Sequence, residues 1–67
     1  MELVESAKKF ILSKNYSEAL KLLNKQIAIN SEDADAWYYK AIVSLRLKSY
    51  DNAHEFLEHA AFIKQKP

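Results

Sequence analysis

The chain has 67 residues with ten basic and nine acidic side chains, no cysteine, no glycine and a single proline, a length that holds one domain at most and a composition that excludes disulfide staples and thiolate metal sites and points to a reducing compartment. A net charge of +1, with five basic and five acidic residues in 1–33 against five and four in 34–67, excludes a strongly basic nucleic-acid surface. No apolar run approaches the length of a membrane span, and Glu2 and Glu5 stand where a secretory leader needs a basic start, so a soluble, cytoplasmic protein is expected.

With no glycine and proline only at position 67, helix is the expected state along the chain. Leu3, Ala7, Phe10 and Ile11 recur at helical spacing and end at the polar joint "SKN", 13–15. Ala19, Leu20, Leu23 and Ile27 make the second stripe, ended by "NSEDAD", 30–35; Trp37, Ala41 and Leu45 make the third, ended by "KS", 48–49. Ala53, Phe56, Leu57, Ala60 and Ile63 make the fourth. Glu18, Asp33, Asp35 and Asp51 fall near helix starts, where carboxylates cap free N–H groups and oppose the helix dipole. The pattern predicts one all-α domain over 1–67, with four helices of roughly twelve to fourteen residues and short antiparallel connections.

Shifted by thirty-four residues, the chain repeats itself. "KNYSEALKLLNKQ" (14–26) returns as "KSYDNAHEFLEHA" (48–60), and six pairs are identical: Ala7/Ala41, Lys14/Lys48, Tyr16/Tyr50, Ala19/Ala53, Leu23/Leu57 and Ile29/Ile63. Composition alone yields roughly two or three such identities. Five of the six are Ala, Leu, Ile or Tyr at core spacing, which is what two copies of one helical hairpin retain. Repeat one thus covers about 1–33 and repeat two about 34–67.

These residues resemble the tetratricopeptide repeat, whose unit is a thirty-four-residue helix-turn-helix. In repeat two, Trp37, Ala41, Tyr50, Ala53, Leu57 and Ala60 stand where the family has its large aromatic, small residue, Tyr, Ala, bulky apolar residue and Ala; repeat one keeps Leu3, Ala7, Tyr16, Ala19 and Leu23. The resemblance implies a right-handed helical-repeat array of two hairpins. There are departures: Leu3 replaces Trp, Ser6 and Lys40 replace Leu, Ser44 replaces an aromatic, Gln26 replaces Ala, and Lys14 and Lys48 replace the turn glycine. A lysine forced into a left-handed turn costs on the order of 1 kcal/mol relative to glycine.

The segment "HEFLEH" holds His54 and His59 five apart, a spacing that turns two helical side chains about 140° from one another and does not fit a pair of metal ligands. His54 with Glu58 and Glu55 with His59 are i, i+4 pairs of an exposed face. Ser6-Ala7-Lys8-Lys9 matches a loose Ser-x-x-Lys pattern without any companion motif. A non-enzyme without metal or cofactor is expected.

In tetratricopeptide arrays the first helix of each hairpin lines a concave groove, and the resemblance places Val4, Lys8 and Ile11 of repeat one and Tyr38, Ile42, Leu45 and Arg46 of repeat two in it, with Asp35 and Leu12 flanking. Tyr38 is the expected anchor, with Tyr39 turned about 100° away. The Lys and Asn set with which some relatives clamp a chaperone's carboxyl terminus is represented by Val4, Lys8 and Tyr39, so no chaperone-tail binding is expected. The leading reading is a scaffold that binds a peptide or helix of a partner protein; the alternative is a homo-oligomerising unit. A pentatricopeptide-like RNA reader is disfavoured by the charge balance. Arrays generally need about three units or a polar cap, so Leu57, Ala60, Ala61 and Phe62 are expected to pair two chains into a dimer.

Overall fold

The computed structural model describes residues 2–66; Met1 and Pro67, the ends of the predicted domain, lie outside the described residues. It is all-α, with α1 Leu3–Leu12, α2 Tyr16–Ile29, α3 Ala34–Arg46 and α4 Tyr50–Gln65, and no strand among the described residues. The four helices form two hairpins as expected, although α1 is shorter and α4 longer than predicted, at 10 and 16 residues. Ala34 and Asp35 join α3 instead of its preceding loop, and Leu47 leaves it as the C-cap.

The helix starts follow side-chain chemistry. Glu2 caps α1 by accepting 2.9 Å bonds from the Val4 and Glu5 amides. Asp33 caps α3, accepting from the Ala36 amide at 3.2 Å and from Gln26 Nε2 at 2.9 Å, so one carboxylate both opens α3 and ties it to α2. Asn15 and Ser49, ahead of α2 and α4, make no side-chain cap bond.

The two hairpin turns are copies of one another. Lys14 and Lys48 adopt φ of 64° and 62°. Around Lys14, its amide donates to Ile11 O at 3.0 Å and the Asn15 amide to Phe10 O at 2.8 Å; around Lys48, the equivalent bonds reach Leu45 O at 3.0 Å and Ser44 O at 2.8 Å. Both are Schellman closures, in which a left-handed residue lets the chain satisfy the last carbonyls of a helix. Glycine is the residue suited to that φ, so Lys14→Gly and Lys48→Gly should each stabilise the fold by about 0.5–1 kcal/mol. Urea midpoints check this, and an unchanged or lowered midpoint contradicts it.

Small residues let the helices approach closely. Ala7, Ala19, Leu23, Ala36, Ala41 and Val43 are fully buried, and Leu23 and Val43 are the largest of them. Helix α3 packs against all three other helices, whereas α4 packs against α3 alone among the described residues. The seam between α3 and α4 shows how the departures from the family pattern are accommodated. Lys40 lays its ammonium 5.3 Å from the Trp37 ring and 4.6 Å from the Phe56 ring, and burial there lowers its pKa. Buried Ser44 donates its hydroxyl to Lys40 O at 3.0 Å. Trp37 fixes the hairpin joint by donating Nε1–H to Ser31 O at 2.9 Å.

Candidate functional site

On the opposite side from that seam, α1 and α3 enclose a cleft of about 310 Å3 lined by Lys8, Ile11, Leu12, Tyr39, Ile42 and Arg46. A hollow of about 400 Å3 lies at the α3–α4 turn, but its walls are five consecutive residues, Lys48 to Asn52. The α1–α3 cleft is shaped by two helices and so is the better-defined receptor.

Its walls follow from helical spacing. Lys8 and Ile11 are i, i+3 on α1; Tyr39, Ile42 and Arg46 continue i, i+3, i+7 on α3. The lining combines half-buried Ile11 and Ile42 and exposed Leu12 with two cations. Lys8 Nζ is 3.2 Å from Glu5 Oε1 and 5.1 Å from the centre of the Tyr39 ring; the Glu5 hydrogen bond, then Tyr39, raise its pKa, so the ammonium stays charged. Arg46 makes no ion pair among the described residues. Its charge is available at the rim.

The structure brings together four of the expected groove residues, Lys8, Ile11, Ile42 and Arg46, with the flanking Leu12, and adds Tyr39. Val4 is a correction: it is 5% exposed and belongs to the core with Ala7 and Leu23, so it offers nothing to a partner. Tyr38 and Leu45 are exposed but stand outside the cleft. Tyr38 meets Tyr39 edge-on at 5.2 Å and buttresses the ring that lines the site. The missed signal was the stripe Ala36, Tyr39 and Val43: once a small and a branched residue fix the buried face of α3, Tyr39 necessarily lies at its α1 edge.

The expected pairing surface on α4 also changes. Ala60 is 6% exposed, buried within the fold and unable to serve as a contact. Leu57, Ala61 and Phe62 are all exposed; Leu57 and Ala61 share one stripe, and Phe62 lies about 140° from Leu57, beside the Lys66 ammonium. Tyr50, seven residues before Leu57, joins the stripe and is 62% exposed. Of the two expected polar pairs, His54 Nε2 and Glu58 Oε1 meet at 3.1 Å. His59 turns instead to Trp37, with ring centres 4.2 Å apart.

Among the described residues no group of three or more His, Asp or Glu side chains is placed to hold a metal ion, and no helix is long and apolar enough to cross a membrane. Neither a curated protein nor a solved structure matches the chain. The tetratricopeptide repeat profile matches residues 10–67, beginning at Phe10, past Leu3 and Ser6, where repeat one departs from the family pattern. The matched span takes in both Schellman turns and three of the four helices whole, and with it the chain belongs to the tetratricopeptide repeat family.

Proposed function

We propose that the α1–α3 cleft receives a bulky apolar side chain from a peptide or helix of a partner protein, with an acidic residue of the same segment meeting Lys8 and Arg46. Tetratricopeptide repeats generally mediate protein–protein interaction, and the family is typically non-catalytic. The observation that carries the reading is a cleft lined by half-buried Ile11 and Ile42 and exposed Leu12 together with two cations, Lys8 and Arg46. An apolar anchor gains from leaving water, while rim charges govern orientation and choice of partner. An internal Asp or Glu suits this rim; the chaperone-tail clamp lacks its Asn partners here. No catalytic group, cofactor or nucleic-acid surface enters the proposal, and the cysteine-free chain suits the cytoplasm.

Selection of linear peptides from a displayed random library tests the cleft. Enriched sequences should carry a large apolar residue within a few positions of Asp or Glu, and Ile42→Asp should weaken their binding at least about tenfold, or 1.4 kcal/mol, while Leu57→Ala leaves it unchanged. Equal binding to wild type and Ile42→Asp contradicts the site.

A second reading, self-association, has its own support. Leu23 and Leu57 occupy the same repeat position, yet Leu23 is 0% exposed and Leu57 38%. Among the described residues, none covers the outer face of α4 as α3 covers that of α2. A second copy covering that face makes a homodimer.

A further inference from the structure

The two hairpin turns share one edge of the molecule. Leu12 and Arg46 line the same cleft, so the last turns of α1 and α3, and the connections at 13–15 and 47–49 that follow them, stand side by side. This edge projects apolar side chains into water: Leu12 is 85% exposed, Leu47 50% and Tyr50 62%. Among them stand Lys14, Arg46 and Lys48, all exposed and none in an ion pair among the described residues. Of the carboxylates that begin α2 and α4, Glu18 is already paired with Lys21 at 3.3 Å, which leaves Asp51. The opposite edge, where α1 and α3 begin, also exposes Ile29 and Phe62. There Glu2, Glu5, Glu32, Asp33 and Asp35 outnumber Lys25, Lys64 and Lys66. An anionic surface is therefore drawn to the turns and repelled by the far end.

We infer that the turn edge seats on an anionic lipid bilayer, with Leu12 and Leu47 entering the interface and Lys14, Arg46 and Lys48 among the headgroup phosphates. Such a contact lies on the membrane and needs no spanning helix. The anionic cytoplasmic leaflet is a surface of the required charge. The backbone permits the approach: the amides of residues 13, 14, 15, 47, 48 and 49 all donate to carbonyls of the same chain, so the turns can leave bulk water without stranding these donors. Shape favours a bilayer over a folded partner. The leucines stand at the tips of turns, where a flat protein face covers only part of each, whereas lipid closes around any protruding side chain. Against nucleic-acid phosphates the leucines gain nothing. A further hairpin stacked beside repeat two in the same sense would add a third turn to this edge and would not cover it.

Vesicle co-sedimentation tests this, with phosphatidylserine in phosphatidylcholine set against phosphatidylcholine alone. The protein should bind the anionic vesicles, bind the neutral ones at least about tenfold more weakly, and be released by added salt. Lys14→Gly with Lys48→Gly removes two of the three cations and suits both left-handed turns. Its binding should fall at least about tenfold in a protein that melts no lower than wild type. Leu47→Ser, at an exposed position, should weaken binding about fivefold. Leu12 and Arg46 also line the cleft and are left unchanged, so both variants should capture cleft peptides as wild type does. Binding lost in the glycine variant but kept in Leu47→Ser marks a general anion contact, of the kind an acidic protein or a nucleic acid makes, and overturns the bilayer. Equal binding to the two kinds of vesicle, or binding to neither, overturns it as well.

Discussion

Leu23→Ala should leave the protein largely unfolded at room temperature, whereas Leu57→Ala should lower its stability only modestly. The two leucines are the same residue at the same repeat position, so propensity and local sequence predict equal costs. Their surroundings separate them. Leu23 is fully buried among Val4, Ala7, Ala19, Ala36 and Val43, and truncation leaves a cavity ringed by small residues that cannot collapse into it. Truncations of that kind cost about 2–5 kcal/mol, comparable to the few kcal/mol that a core of this size supplies. Leu57, partly in water already, leaves no closed cavity and should cost about 1 kcal/mol. Denaturant titrations followed by circular dichroism read both values. Equal costs for the two variants contradict the assignment of α3 as the cover for repeat one.

Val43→Lys should be at least as damaging. Val43 is fully buried on the face of α3 that meets the first hairpin, and its repeat counterpart is the exposed Lys9. The substitution thus writes the outward face of α1 into the joint between hairpins. A lysine there is a buried charge without a partner, worth about 3–5 kcal/mol of destabilisation, and a single hairpin does not bury enough surface to persist alone. Lys9→Val, the reverse exchange, should leave the melting temperature within a few degrees of wild type. A Val43→Lys protein that melts like wild type places the joint elsewhere.

Much of this architecture was legible in the residues. The thirty-four-residue shift identified the hairpin, and the lysines standing where the family has glycine marked the two left-handed turns, because a Schellman closure needs that backbone whatever side chain occupies it. Ile11, Ile42, Lys8 and Arg46 could be assigned to one groove from spacing and family resemblance. Spacing fixes relative angles along a helix but not the rotation of one helix against another. Ala36 and Val43 set that rotation for α3, which is why Tyr39 and not Tyr38 faces the cleft, and why Val4 lies in the core. Among the expected pairing residues Ala60 departs for a related reason: it is an apolar neighbour of Leu57 in sequence, but α3 covers its side of α4, whereas Leu57, Ala61 and Phe62 stay exposed. His59 reads as half of a polar pair until the Trp37 ring is placed beside it.

The interaction surface is tested most directly by a two-dimensional 15N NMR titration of the protein with a selected acidic-apolar peptide, run at a concentration where self-association is saturated. Shift changes should concentrate at Lys8, Ile11, Leu12, Tyr39, Ile42 and Arg46 and be lost with Ile42→Asp. Shifts confined to Tyr50, Leu57 and Ala61 contradict it, because they place the partner on α4 and leave the cleft without a ligand.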